Sequence, residues 1–221
     1  MKPVPVIAID GPSASGKGTV AQRVARELGF HYLNSGALYR LVALAVARQG
    51  IDVSDEAGAA AVAAQLPIPR FEGDEIFLED RPVAEAIATE QCSAVASFVA
   101  ALPRVRQALL ERQREFRRLP GLVAEGRDMA SVVFPDASLK VFLTASLEAR
   151  AGRRHKQLKE KGIAATLPGL LQDLRERDAR DASRSVAPLK QSPGARLLDT
   201  TSLSAAQAAT LIVGWYRGAN G

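Results

Sequence analysis

The stretch Gly11-Pro-Ser-Ala-Ser-Gly16-Lys17-Gly18-Thr19 constrains this chain most, because of what stands on either side of it. Before it, Val4 to Ile9 is an apolar, partly β-branched run of strand length, closed by Asp-Gly-Pro-Ser turn chemistry. After it, Val20, Val24 and Leu28 recur at four-residue spacing from Lys17 onward, and Gly29 is placed as a helix stop. Strand, glycine loop and helix in that order predict a loop whose backbone N–H groups can surround a polyphosphate. The helix from Lys17 adds the positive end of its dipole, and the lysine ammonium reaches the outer phosphates. Gly11, Pro12, Ser13, Ala14, Ser15, Gly16, Lys17, Gly18 and Thr19 are therefore the candidates for holding a nucleoside triphosphate. A glycine turn that binds nothing is the bland alternative, and the flanking strand and helix count against it. The usual pattern puts Ser or Thr directly after the lysine. Here Gly18 intervenes and Thr19 carries the hydroxyl, which weakens a generic ATPase or GTPase reading.

The rest of the chain repeats the alternation. A short strand at 31–33 precedes a helix from Ser35 to Gln49, with Ser35 as its N-cap, and an alanine-rich helix covers 55–65. Pro67, Pro69, Gly73 and an Asp80-Arg81-Pro82 turn bracket the strand candidates 70–71 and 76–78, so 67–102 reads as a small antiparallel insertion. A charged helix opens at Leu102-Pro103 and stops at Leu119-Pro120-Gly121, followed by buried strands at 122–124 and 139–143. Two arginine-rich helices separated around Gly162 to Pro168, a strand at Leu197-Leu198 and a helix at 204–216 complete the chain. Such alternation implies an α/β fold, a parallel sheet with right-handed crossovers, in one domain spanning 1–221.

The 221 residues, 47% hydrophobic and 24% charged, suffice for a full core, and no apolar run reaches the roughly 20 residues of a membrane span. The N-terminus lacks a signal-peptide pattern, and Cys92 is a lone cysteine, so a cytoplasmic location is expected. The net charge of +5 could suggest nucleic acid. Residues 146–190 alone carry eleven Lys/Arg against six Asp/Glu, so one segment accounts for the whole excess. Solvated helix faces are the ordinary reading of such runs, but beside a phosphate loop phosphate is a second target for these arginines. Aromatic content of 5%, without aromatic-rich strands, argues against RNA binding by base stacking. A GTPase switch is disfavoured because no Asn-Lys-x-Asp motif is present and the only Asp-x-x-Gly, Asp55 to Gly58, sits in the alanine-rich helix. The two histidines and Cys92 form no zinc pattern.

Two further clusters are polar: Asn34-Ser-Gly-Ala-Leu-Tyr-Arg40 and Glu125-Gly-Arg-Asp128, the latter at the C-terminal end of a buried strand, where open α/β sheets bind ligands. Taken alone, the first is a capped helix with a surface arginine and the second a structural Arg–Asp ion pair. Together with Pro103-Arg-Val-Arg106, Val132-Val-Phe-Pro-Asp136 and Arg177-Asp-Ala-Arg-Asp181 through Arg184 to Pro188, they resemble bacterial cytidylate kinase over nearly the whole chain.

That resemblance implies a three-layer P-loop NTPase fold carrying an inserted monophosphate-binding subdomain at 67–102 and a short lid at 150–165. It implies ATP-dependent phosphorylation of CMP and dCMP, with Mg²⁺ coordinated mainly by water and phosphate. No resident metal ligands and no nucleic-acid or membrane partner are implied, and a monomer is expected. Lys17, Arg127 and Arg184 are the catalytic candidates. Ser35, Arg40, Arg127 and Arg184 would hold the monophosphate and the transferring group, Ser97, Arg106 and Asp128 the cytosine edge, and Arg177 and Asp181 the sugar. Arg150, Arg153 and Arg154 would belong to the lid over ATP. The family commonly carries Asp where this chain has Asn34, and often Asp where it has Glu125. Phosphoryl transfer asks a protein mainly for positioning and neutralisation, which suits an arginine-rich site without a nucleophile. A related kinase for UMP, AMP or another small metabolite is the alternative.

Overall fold

The computed structural model describes residues 3–73, 75–160, 162–184 and 186–220, without the side chains of 219 and 220. Asp74 in the expected insertion and Lys161 in the expected lid lie outside the described residues. The main sheet comprises β1 (Val6–Asp10), β2 (His31–Asn34), β6 (Leu122–Gly126), β7 (Leu139–Thr144) and β8 (Arg196–Asp199), in the order β2-β6-β1-β7-β8. All of its pairings are parallel. Every residue of β1 and β6 is buried, which is why these segments read as apolar runs instead of alternating.

Alternate side chains feed two cores. Val6, Ala8, Leu33, Leu122 and Ala124 pack on one face against α2 (Ser35–Arg48), α3 (Glu56–Gln65), α5 (Glu90–Val99) and α6 (Pro103–Arg114). Ile7, Ile9, Val123, Val141 and Leu143 pack on the other against α1 (Lys17–Leu28) and α9 (Ala205–Asn220). The result is three layers, helix, sheet and helix. Because β1 lies between β6 and β7, the loops leaving β1 and β6 open into one crevice at the carboxyl edge.

Several sequence expectations shift here. The N-cap of α2 is Asn34, not Ser35: its extended backbone lets Oδ1 accept from the Ala37 N–H at 3.0 Å, and Ser35 becomes a buried first helical residue. Segment 67–102 contains an antiparallel sheet of β3 (Arg70–Glu72), β4 (Glu75–Leu78) and β5 (Arg81–Pro82). Arg81 and Pro82 are edge-strand residues, and the reversal falls on Glu79 and Asp80, with φ of 50° and 62°. The second half of the segment, α4 (Ala84–Ile87) and α5, is helical and buries Ile87, Cys92, Ala96 and Val99 in the same core as the sheet. Finally, Pro168 does not separate the arginine-rich helices; it occupies the first turn of α8 (Leu167–Ser183), where its missing N–H costs no helical bond. That helix packs on α7 (Leu147–Glu160) through Ala151, Leu158, Leu170 and Leu174. Among the described residues no helix is long and apolar enough to cross a membrane.

Candidate active site

The glycine loop leaves β1 pressed against β7: a Cβ on Gly11 would lie 2.0 Å from the Leu143 carbonyl oxygen, so no other residue fits. The chain then turns through Ala14 and Gly16, at φ of 57° and 91°, into α1. Gly16 caps that helix without a side-chain bond, which leaves the first-turn N–H groups available to a ligand. Lys17 Nζ donates to the Pro12 carbonyl at 3.3 Å and lies 3.7 Å from Glu125 Oε2. Burial, then the charge of Arg127, push the Lys17 ammonium down to about 7, with Glu125 pulling the other way. The site is short of negative charge.

Across the loop, Asp181 of α8 gathers two arginines. It accepts from Arg127 Nε at 2.7 Å and from Arg184 Nη2. Burial raises its carboxyl, but Arg127 and Arg184 outweigh that and hold it below the usual range. Arg127 Nη2 also donates to Ser13 Oγ at 2.7 Å, tying β6 to the loop. Arg177 is pushed down to about 9, by burial first and then by Arg127.

At the far end, Arg106 of α6 pairs with Asp128, both buried, and Arg106 Nη1 donates to the Ala100 carbonyl at 3.0 Å. Burial raises the Asp128 carboxyl despite Arg106 and Arg184. Ser97 Oγ is buried with no hydrogen-bond partner among the described residues, and Ser97 lines the same cleft as this pair. The Arg–Asp ion pair considered within Glu125-Gly-Arg-Asp128 is not formed: Arg127 and Asp128 each pair with a distant residue. Arg40 is not a surface residue either; it donates to the Ile87 carbonyl at 2.7 Å and to Ser93 Oγ at 3.0 Å.

One cleft of about 1270 Å³ joins these groups, lined by Ser13, Ala14, Lys17, Thr19, Ser35, Arg40, Ser97, Arg106, Arg127, Asp128, Arg154, Arg177, Asp181 and Arg184. A neighbouring cavity of about 480 Å³ is lined by Ser15, Gly16, Gly18 and Arg153, with Thr200, Leu203 and Ala208. Gly11 and Pro12 support the loop from below without lining either space. Arg150 is buried, donating twice to Asp178 (3.0 and 2.6 Å) and once to the Ser13 carbonyl (3.2 Å). Arg153 donates to the Ser15 carbonyl at 2.9 Å, and Arg154 pairs with Glu90. Each of these arginines is held by acceptors from another element.

Sequence reasoning assigned nothing to Asp10 or Ser93. Asp10, 2% exposed, accepts from the N–H groups of Met129 and Ala130 at 2.8 and 2.9 Å, and so fixes the π-helical turn Met129–Val133 that follows Asp128. Burial raises its carboxyl to about 7, against those two bonds. Its signal was a carboxylate ending an apolar strand, absorbed there into turn chemistry. Ser93, inside an apolar helix, offered no signal.

Comparison with known proteins gives the same frame. The cytidylate kinase family model matches residues 7–217. The cytidylate kinase of Polynucleobacter asymbioticus is 58% identical over 99% of this chain and 99% of its own length. That of Bordetella bronchiseptica is 57% identical over 96% of this chain and 95% of its own length. Among solved structures, a gluconokinase from Sinorhizobium meliloti superposes with a TM-score of 0.49 at 18% identity, covering 100% of this chain and 96% of that one, too loose a likeness to argue from. With the family match spanning the sheet, the glycine loop and the arginine cleft, the chain belongs to the cytidylate kinase family.

Proposed function

We propose that this protein transfers the γ-phosphoryl group of ATP to CMP and dCMP, giving ADP with CDP or dCDP, as a cytoplasmic monomer acting on free nucleotides. The observation that carries this reading is the single cleft with the glycine loop at one end and the buried Arg106–Asp128 pair at the other. The triphosphate would lie along 11–19, with its base toward the cavity lined by Arg153 and Thr200. Asp128 as an acceptor with Arg106 as a donor suits a base that places an exocyclic amine beside a ring acceptor, as cytosine does. Ser97 Oγ, buried without a partner among the described residues, would supply a further polar contact at that end.

Between the two ends, Lys17, Arg127 and Arg184 would meet the charge that spreads over the phosphoryl oxygens as the O–P bond to ADP breaks and the acceptor phosphate oxygen bonds to phosphorus. Arginine forks suit that charge because they bind phosphate bidentately and keep their charge. Asp181 pre-aligns Arg127 and Arg184, so little reorganisation is needed when phosphate arrives. Ser35 and Arg40 would hold the acceptor phosphate, and Arg177 with Asp181 the sugar. Helices α7 and α8 would serve as the lid and 67–102 as the monophosphate-binding subdomain.

Among the described residues no group of three or more His, Cys, Asp or Glu could hold a metal ion. Thr19, exposed on the first turn of α1 and lining both spaces, would offer its hydroxyl to a Mg²⁺ carried in on phosphate, whose remaining ligands would be water and phosphate. Bound with the triphosphate, such an ion would supply charge neutralisation to the phosphates. A coupled ADP-release assay across CMP, dCMP, UMP, AMP and GMP tests the reading. CMP and dCMP should exceed the others in kcat/KM, and equal or greater use of AMP or GMP would overturn it.

A further inference from the structure

Ser93 stands between two arginines of the cleft that come from different helices. It lies on α5, 3% exposed, on the wall of the cleft. Its Oγ accepts from Arg40 Nη2 of α2 at 3.0 Å and from Arg177 Nη1 of α8 at 2.7 Å. A serine hydroxyl has two acceptor sites and one donor. Both acceptor sites are spent on guanidinium N–H groups, so one oxygen joins three helices that are remote in sequence.

The two cations need such a bridge. Neither Arg40 nor Arg177 has a carboxylate within salt-bridge distance among the described residues, unlike Arg106, Arg127, Arg154 and Arg184. Among the described residues, Arg40 is otherwise held only by the Ile87 carbonyl, and Arg177 Nε is buried without a partner. Two like charges facing the same cleft would move apart unless something with partial negative charge sat between them. A carboxylate there would cancel the positive charge that an anionic ligand needs. A neutral hydroxyl holds both forks and leaves their charge for the ligand.

We propose that Ser93 is a positioning residue of the acceptor pocket, clamping Arg40 and Arg177 together so that both forks converge on the phosphate and sugar of the bound nucleoside monophosphate. This rests on the reading that the cleft takes a nucleoside monophosphate. Alanine at 93 suits the helix and leaves its fold intact, but strands two charged donors.

The test is steady-state kinetics of Ser93→Ala and Ser93→Thr, together with Ser93→Ala in an Arg177→Ala background. Losing hydrogen bonds to charged groups should raise the acceptor KM roughly tenfold or more in Ser93→Ala. KM for ATP and kcat should stay within about twofold, because the glycine loop is untouched. Threonine, which restores the oxygen, should return the acceptor KM to within about threefold of wild type. Since Ser93 acts through Arg177, the two alanine changes should combine to less than the product of their separate effects. A KM within twofold of wild type in Ser93→Ala, a threonine variant as impaired as alanine, or a fully multiplicative double variant would each overturn the clamp. The comparison is made on whichever monophosphate the wild-type enzyme phosphorylates. Failure of the cytosine assignment in the substrate panel is therefore a separate outcome from failure of the clamp.

Discussion

Lys17 is the group whose charge state the fold disturbs most informatively. Its ammonium sits at about 7, against 10.5 for an ordinary lysine, because it is buried and faces Arg127. A polyphosphate brings several negative charges to it and should return it toward its ordinary range. The sign follows directly. The free enzyme holds fewer protons than the complex wherever the pH lies above the free value and below the bound one, so binding takes up a proton in that window. At pH 8, one unit above the free value, about nine-tenths of free Lys17 is neutral and uptake should approach ~0.9 proton; at pH 6 the lysine is already charged and uptake should fall to ~0.1. Each unit above pH 7 costs about 1.4 kcal/mol of binding, or roughly tenfold in ATP affinity. The assay is isothermal titration of Mg-ATP without acceptor, in buffers of different ionisation enthalpy, at both pH values. Lys17→Met is the reference that removes this proton and leaves those of the nucleotide and metal. Uptake below ~0.3 proton at pH 8, or equal uptake in Lys17→Met, would refute the argument that the site starves Lys17 of negative charge.

Three other outcomes are expected. Asp128→Ala should raise the CMP KM roughly ten- to a hundredfold and leave the ATP KM nearly unchanged; it also strands buried Arg106 at about 3–5 kcal/mol, so its Tm should fall. Asp128→Asn keeps an acceptor for Arg106 and should recover most of the Tm but not the CMP KM, and an unchanged CMP KM in both variants would count against the base-site reading. Gly11→Ala should fail to fold or lose several degrees of Tm by thermal denaturation, since its methyl would meet the Leu143 carbonyl oxygen at 2.0 Å. In hydrogen exchange, ATP and CMP analogues together should increase protection across 150–165 and 177–184 while β1 and β7 stay constant, and equal exchange in both states would remove the lid assignment.

The parts of this fold legible in the sequence are those whose cause is local. Residues 17–28 announce a helix because Val20, Val24 and Leu28 face one core and Gly29, at φ 66°, can end it there. The strand read at 122–124 announces itself because burial on both faces demands continuous apolar residues, and the one at 139–143 because Leu139, Val141 and Leu143 supply a buried alternate face. The site is different. Its catalytic and acceptor candidates were placed by family resemblance, because their partners lie far away in sequence: Arg127 meets Asp181, 54 residues on, and Arg40 meets Ser93, 53 residues on. Arg150 illustrates the limit. It shares a basic run with Arg153 and Arg154, and nothing local says that Asp178 and the Ser13 carbonyl will bury it between α7, α8 and the glycine loop.

The same consideration resolves the charge of the chain. A sum of +5 says only that cations exceed carboxylates; which cations are in excess depends on who pairs with whom. Arg106 is balanced by Asp128, Arg154 by Glu90, Arg150 by Asp178, and Arg127 shares Asp181 with Arg184. Arg40 and Arg177 are left to the neutral oxygens of Ile87 and Ser93, and Lys17 to the Pro12 carbonyl with Glu125 at 3.7 Å. A buried guanidinium satisfied only by neutral acceptors keeps its bonds but not its charge balance, an unfavourable state that an incoming anion relieves. Lys17, Arg40 and Arg177 are therefore three places at which added negative charge would be stabilised. Lys17, Arg40 and Arg177 line one cleft between α1, α2 and α8, so these three charges face a space into which a small polyanion fits.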